Sequence, residues 1–545
     1  MTRAAQSSPP KISPLAPLRH RAFALLWTAT LISNIGTWMH DVSAAWLMTS
    51  LSPSPLVVAM VQAATSGAMA LFALPAGAMA DLFDRKRLLI ALAALKASLA
   101  LLLAVLTVLG YVDASSLLAT TFLLGVGSAL MAPVWQSIVP TLVPREDLKP
   151  AVALNSLGTN IARAIGPTVG GLLIVALGVA SAFFLNAASE FVIIAALLLW
   201  KPAVGAPRKL PETFVPAMIA GVRFAAHSTA LKSVLWRSAG FFLFASAFWA
   251  LVPLVARQTL GGDAALYGMI VGAVGAGAVA GAALLPLIDA RLGSERTVQA
   301  GSMLTAVVLL SLGFVQSQGA AVAAGALAGA AWIWVLSTLN VAAQNALPDW
   351  VRGRGLSIYG LVFFGAMTVG SLGWGALATW SGIPVALTVA AVGLVVAIPL
   401  TRGYPLSVSA GDLTPSGHWP EPAVAAEIPG DRGPVMVTIE YRVALARQAA
   451  FRRSIYSLSD VRRRDGAYQW GLMQDAADPV RFVEFFLVES WTEHQRQHAR
   501  VTRADADLQA EVAAFAAPGA TPRITHWIAT GAEDEASTDY RNFRS

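Results

Sequence analysis

The chain alternates between two textures. From about residue 22 to residue 402, long apolar runs are separated by short polar or basic interruptions, and beyond residue 431 the runs stop and the pattern shortens. A helix needs about 20 apolar residues to cross a hydrocarbon core about 30 Å thick. The runs predict twelve spans, at 22–46, 55–80, 88–110, 116–140, 151–176, 180–200, 234–257, 264–288, 297–316, 320–345, 355–379 and 384–402. The first, from about Phe23 to Met48, is too long for a signal peptide, and no small-residue cleavage site follows it. The gap from Lys201 to Lys232 is the longest connection and divides the spans six and six.

Composition agrees with this reading. Hydrophobic residues make up 56% of the 545 and charged residues 13%, against about 25% charged in soluble domains. A soluble sphere would have to expose more polar surface than this sequence contains. Cysteine is absent, which excludes disulfide frameworks, thiolate metal sites, iron–sulfur clusters and a cysteine nucleophile. The net charge of +7 reflects topology rather than a nucleic-acid partner. Arg85, Lys86 and Arg87; Arg145 and Lys149; Lys201, Arg208 and Lys209; Arg291 and Arg296; and Arg352 and Arg354 fall in loops on one side. The opposite loops carry only Arg257. The positive-inside rule then places both termini and the middle loop in the cytoplasm of a multi-pass inner (plasma) membrane protein.

The two halves repeat. Pro144 in TLVPREDLKPAVALNSL corresponds to Pro348 in NALPDWVRGRGLSIYGL, 204 positions on, and the same offset carries Gly166 to Gly370 and Gly171 to Gly375. Parallel six-span halves with a site near the midplane are a transporter architecture. The predicted organisation is a cytoplasmic tail over 1–21, a six-helix bundle over 22–200, a cytoplasmic central loop over 201–233 and a second bundle over 234–402. A Pro-, Gly- and Ser-punctuated linker over 403–431, a soluble domain over 432–530 and a tail over 531–545 follow. Within the soluble part, VMVTIEYRV alternates like a strand and ARQAAFRRSIYSLSDVRRRDG reads as a helix ending at Gly466. AYQWGLMQD and RFVEFFLVES form a hairpin, TEHQRQHARVTRADADLQAEVAAF a helix and RITHWIAT a last strand. The βαββαβ order is that of an α+β, ferredoxin-like unit.

A charged side chain at the bilayer centre costs about 2.5–3.5 kcal/mol on insertion scales, so each needs a reason. Arg163 and Glu190 lie about ten residues into the fifth and sixth spans, near mid-depth, where an ion pair is geometrically reasonable. Such a pair either staples two helices or handles protons or substrate. Lys96 in the third span could snorkel inward, and a structural role is the preferred reading. Trp27, Trp38, Trp46, Trp249, Trp332, Trp334 and Trp374 are interface anchors by default; Trp332 and Trp334 could also present aromatic surface to a ring-bearing cargo. The small-residue run GMIVGAVGAGAVAGA permits close helix contact.

GAMADLFDRKRLL packs two acids and three bases between two apolar runs. Membrane topology asks for the bases but not for Asp81 or Asp84. The stretch resembles the loop signature G-x-x-x-D-R-x-G-R-R of the major facilitator superfamily. Gly77, Asp81, Arg85 and Lys86 match it, while Leu82 and Asp84 replace its Arg and Gly. Gly166, Pro167, Gly170 and Gly171 are similar to the motif of the superfamily's antiporters. SNIGTWMHDVSAAWLM, YGMIVGAVGAGAVAGA, LPDWVRGRGLSIY and the soluble tail resemble the branch that contains the enterobactin exporter and related efflux proteins. The resemblance covers about 20 to 530. It implies twelve helices in two bundles and proton-driven export, with Asp81 and Arg85 in a gating latch. First spans line the central cavity in this superfamily, which makes Asp41, with His40 beside it and Ser33 and Asn34 below, the preferred proton-coupling carboxylate. Its other reading is a residue already at the outer surface.

The tail resembles the small α+β fold of antibiotic-biosynthesis monooxygenases, which implies a homodimer through its sheets. Trp470, Trp491 and Trp527 either line a pocket or fill a core. His494 and His498 share a helix face beside Glu493, a spacing that suits zinc. No third ligand is evident, so they read as solvated histidines, and no metal or cofactor is expected. The expected function is secondary active export of a small amphipathic molecule, a drug or siderophore, with protons and the lipid bilayer as its other partners. The alternatives are a proton-coupled nutrient importer and a transporter fused to an active enzyme domain. A primary pump is disfavoured because no G-x-x-x-x-G-K-[ST] loop occurs.

Overall fold

The structure, a computed structural model, describes residues 13, 15–201, 214–406, 411–419, 422, 424, 428–516 and 522–530, without the side chains of 77–78, 80–82 and 214–217. Helices run α1 (Arg21–Leu51), α2 (Pro55–Leu82), α3 (Arg85–Val108), α4 (Ala114–Leu142), α5 (Leu148–Leu177), α6 (Val179–Leu199) and α7 (Phe214–His227). They continue with α8 (Thr229–Leu254), α9 (Ala264–Gly313), α10 (Gln318–Asn345), α11 (Arg352–Ser381) and α12 (Ile383–Leu400). All of these except α7 are long and apolar enough to cross a membrane. The 50-residue α9 would be about 75 Å long at 1.5 Å per residue, two crossings' worth. Its path turns at Gly293, whose φ of 74° is left-handed. The expected spans 264–288 and 297–316 are thus joined through one glycine, and twelve crossings result. The unforeseen element is α7, inside the stretch read only as a loop.

By internal packing the chain forms two compact units. The first holds the membrane-spanning helices; the second gathers residues 215–232, 345–355 and 409–545. In the first unit α1 and α6 lie antiparallel and very close. A methyl group on Gly36 would meet Ser189 and Asn186, Ser33 bonds Glu190, and His40 packs on Phe183. Without a hydrophobic drive between helices in lipid, such close contacts supply the van der Waals attraction that holds a bundle together.

The predicted repeat is expressed as packing. A Cβ on Gly166 would lie 2.6 Å from Cβ of Trp38 and 2.9 Å from the Ile35 carbonyl of α1. Gly370 abuts Leu243 and Ser246 of α8 in the same way. The second glycine of each half faces the other bundle. A Cβ on Gly171 would lie 2.5 Å from the Ala264 carbonyl of α9, and one on Gly375 would lie 2.5 Å from Cβ of Ala59 in α2. Pro144 and Pro348 each open the turn before the fifth helix of their half, through Asp147 N–H to the Pro144 carbonyl at 3.0 Å and Val351 N–H to the Pro348 carbonyl at 3.1 Å. Duplicated sequence therefore gives duplicated contacts.

In the second unit, β1 (Val435–Arg442), α13 (Gln448–Asp465), β2 (Gln469–Gln474), β3 (Arg481–Val488), α14 (Trp491–Arg500), α15 (Arg503–Ala513) and β4 (Arg523–Ile528) form a four-stranded antiparallel sheet, order β2-β3-β1-β4, with helices. Alternation in β1 and β3 buries Val435, Val437, Ile439 and Tyr441 together with Phe482, Phe486 and Val488. Helix α13 ends at Gly466, as its sequence predicts. The last helical segment, expected as one piece, is two. Thr502 is extended and exchanges hydrogen bonds with Asp505, a capping box that starts a new helix.

Candidate functional site

The charged groups of the N-terminal bundle meet in a buried seam between α1, α3 and α6. Lys96 Nζ lies 2.6 Å from Glu190 Oε1, and the Ser33 hydroxyl donates to the same oxygen at 3.1 Å. Lys96 is 5% exposed and Glu190 0%. The aliphatic stem of Lys96 lies against Gly127 of α4, where a side chain would collide with it. Glu190 Oε2 is buried with no hydrogen-bond partner. The expected pairing of Glu190 with Arg163 is therefore corrected: Glu190 pairs with Lys96 instead. Arg163 instead stacks on Trp38 with its guanidinium 5.4 Å from the ring centre, and its Nε is unpartnered. Depth along a span can be counted from sequence; which way a side chain points around the helix cannot.

Two turns further along α1, about 10 Å from Ser33, His40 is 2% exposed, and neither ring nitrogen has a partner. Asp41 beside it is half-buried, and among the described residues no hydrogen bond or ion pair involves its carboxylate. Asn34 is half-buried on the same helix. Helix α1 thus carries, two turns beyond the ion-paired carboxylate of the seam, a half-buried carboxylate and a buried imidazole.

At the end of the helices opposite the basic loops, the bundles touch. Arg257, after α8, donates to the hydroxyls of Thr49 at 2.8 Å and Ser50 at 2.5 Å, and its guanidinium lies 5.3 Å from the Trp46 ring centre. Ser66 and Thr368 hydroxyls are 2.9 Å apart between α2 and α11, and Leu56 N–H donates to Thr379 at 3.1 Å. The antiporter-like motif sits at this closure. Gly166 and Gly170 lie against α1, and Gly171 and the Pro167 carbonyl against Gly268 of α9. Toward the basic end the same stripe of α5 emerges as exposed Ala153, Ser156 and Leu157, with exposed Thr159 beside it.

In the loop motif, the side chains of Gly77 and Asp81 lie outside the described residues. Lys86 donates to the carbonyls of Leu198 at 3.2 Å and Trp200 at 2.6 Å, closing the C-terminal end of α6, where free carbonyls favour a cation. Arg85 donates to the Ser137 carbonyl of α4 at 3.3 Å. Asp84 caps α3 through Arg87 N–H at 2.8 Å, which gives this departure from the loop signature a local structural role. Trp334 donates to the Gly281 carbonyl at 3.0 Å and Trp374 to Leu243 at 2.7 Å, so both join helices rather than serve as free anchors. Trp332 lies in an aromatic cluster with Phe241, Phe242, Trp249 and Phe363.

In the second unit, Glu493 is held by Arg500 at 2.6 Å and by Arg223 of α7 at 2.9 Å, and Arg500 stacks 4.6 Å above Trp350. His494 is buried, not solvated as expected, and its ring meets those of His498 and His526 at 4.8 Å between centroids. Burial, with the neighbouring imidazoles, pushes the pKa of His494 down to about 3 and that of His498 to about 4. The three tryptophans do not share a pocket. Trp491 is in the core, Trp470 donates to buried Glu484 at 3.0 Å, and Trp527 is exposed.

The family model described as transmembrane secretion effector matches residues 12–534. The chain belongs to that family of the major facilitator superfamily and is a multi-pass membrane transporter. It is 25% identical over 357 residues to the staphyloferrin A transporter of Staphylococcus aureus (strain NCTC 8325 / PS 47), a match over 64% of this chain and 87% of that one. It is 29% identical over 267 residues to the enterobactin exporter EntS of Shigella boydii serotype 4, over 48% of this chain and 62% of that one, just under two thirds of the exporter's length. The nucleoside transporter NupG (D323A mutant) shares the fold, with a TM-score of 0.60 and 10% identity over 70% of this chain and 99% of that one.

Proposed function

We propose that the protein is a proton-coupled exporter of a small amphipathic molecule of the siderophore class, working by alternating access, with both termini cytoplasmic. The observation that carries this reading is the buried Lys96–Glu190–Ser33 seam, with Asp41 and His40 on the same helix as Ser33. Ionisable groups inside a membrane bundle face its interior, pair with one another and mark ion and proton pathways, and Glu190 Oε2 is an unpartnered acceptor there. The cargo class comes from the relatives that move staphyloferrin A and enterobactin. Glycine contacts and the Arg257 latch close one end between the two bundles, which supports a cycle that opens and closes there. In that cycle Asp41 and Glu190 exchange a proton for cargo. A proton crossing 100 mV supplies about 2.3 kcal/mol, enough for a roughly fortyfold gradient at about 1.4 kcal/mol per tenfold.

The test is transport by inverted membrane vesicles under an imposed proton gradient, with ferric and iron-free catecholate and citrate-type siderophores as probes. Uptake driven by an acidic interior is expected, and Asp41→Asn and Glu190→Gln should each reduce it and alter its pH dependence. Full transport with unchanged pH dependence in both variants overturns the coupling; uptake in the reverse sense makes the protein an importer.

For the tail we propose a regulatory and dimerising role rather than catalysis. Arg223 of the central-loop helix α7 also donates to the Gly466 carbonyl at 3.2 Å, which supports a link between tail and loop. The sheet face turned away from the helices carries Met473 and Trp527, both exposed, with Met436 and Phe485, a surface suited to a second copy. Deleting residues 430–545 should leave a transporter with altered rate and lower oligomeric state; unchanged transport and unchanged oligomeric state overturn both roles.

A further inference from the structure

Two histidines one turn apart on α14 gain a third from β4, 28 positions beyond the second. The donor nitrogens of His494, His498 and His526 all lie within 4.8 Å of one another, and Nε2 of His494 and Nε2 of His498 are 3.2 Å apart. Two nitrogens each about 2.05 Å from one tetrahedral ion stand about 3.3 Å apart, so this pair already has the bite of a metal chelate. We propose that His494, His498 and His526 bind one divalent first-row transition-metal ion of the zinc class, with a fourth coordination position open to water or an exchangeable ligand.

The surroundings support this. A hydrogen bond between two neutral imidazoles satisfies only the facing nitrogens and leaves Nδ1 of His494 buried without a partner. Gln497, fully buried and three positions on along the same face of the helix, has both amide atoms unpartnered. Buried polar groups are seldom left so. When Nε2 is given to a metal, Nδ1–H needs an outer acceptor that fixes the tautomer, and Gln497 Oε1 is placed to be one. The nearest carboxylate on α14, Glu493, is already held by Arg223 and Arg500, and His418 is engaged by Ser416 at 2.7 Å and Gln509 at 3.3 Å. The donor set is therefore three imidazoles, which suits zinc, cobalt, nickel or copper rather than magnesium or calcium. His498 and His526 are half-buried beside the rings of Trp419 and Trp491, so the cluster lies at the margin of the core rather than deep within it.

The experiment uses the full chain in detergent, purified through a tag without histidine and stripped with chelator, then titrated with Co²⁺ and back-titrated with Zn²⁺. The expected result is one Co²⁺ per chain with the intense visible bands of a tetrahedral nitrogen site, displaced by Zn²⁺. His498→Asn and His526→Asn, at half-exposed positions that tolerate polar replacement, should each weaken Co²⁺ binding at least tenfold, and Gln497→Leu should weaken it while sparing the bands. Absence of saturable binding by the wild-type chain, or equal binding by the two histidine variants in a folded, monodisperse state, overturns the proposal.

Discussion

Lys96→Met isolates the consequence of burying an ion pair in a membrane bundle. At 2.6 Å and an effective dielectric constant near 20, the pair attracts by about 6 kcal/mol. Withdrawing the two ions from water costs several kcal/mol each, so the pair is close to neutral for stability. Removing one partner changes this, because Glu190, 0% exposed, would stay in place without its cation. Broken buried pairs cost about 3–5 kcal/mol. In a bundle of about 200 residues each kcal/mol shifts the melting temperature by roughly 2–4 °C. Lys96→Met and Glu190→Gln should each melt about 6–20 °C below wild type, and Lys96→Met combined with Glu190→Leu within about 4 °C of it. Tryptophan fluorescence during heating in detergent reads this directly. Single variants that melt with wild type, or a double variant that loses the sum of the singles, would refute the account. The rescued double variant also separates stability from proton handling, since it should fold and still fail to respond to a proton gradient.

Gly171→Val puts a branched side chain where a Cβ alone would meet the Ala264 carbonyl at 2.5 Å; membrane insertion should be normal by immunoblot and transport under a tenth of wild type. Arg257→Ala removes two charged hydrogen bonds to α1, together worth about 3–6 kcal/mol. The native chain has no cysteine, and Ser43 is fully buried on α1, the helix that Arg257 holds, so a Ser43→Cys reporter should react faster with an impermeant thiol reagent when Arg257 is absent; an unchanged rate would remove the latch. Lys86→Ala leaves the Leu198 and Trp200 carbonyls open and should cost about 0.3–1 kcal/mol, seen as a drop of a few degrees in melting.

Much of this protein was legible in its sequence because the membrane imposes a one-dimensional rule. Twenty apolar residues per crossing fixed where the spans lie, the offset of 204 fixed which positions are equivalent, and both rules survive any arrangement of the helices. Period-two alternation likewise located the strands of the tail. The rule is silent where an amphipathic segment such as α7 lies outside the spans, and it fails where a local cap outbids helical continuity, as Thr502 and Asp505 do between α14 and α15.

Partnership was decided only in three dimensions. Sequence gives the depth of Lys96, Arg163 and Glu190 in their spans, but the pairing depends on helix rotation and on which helices are neighbours. Packing of α3 and α1 against α6 brings Lys96 and Ser33 to Glu190 and leaves Arg163 to Trp38. His526 is invisible as a companion of His494 and His498 for the same reason. It arrives through the antiparallel pairing of β4 with β1, where Val437 stands opposite it, so a sheet register rather than a spacing assembles the three imidazoles.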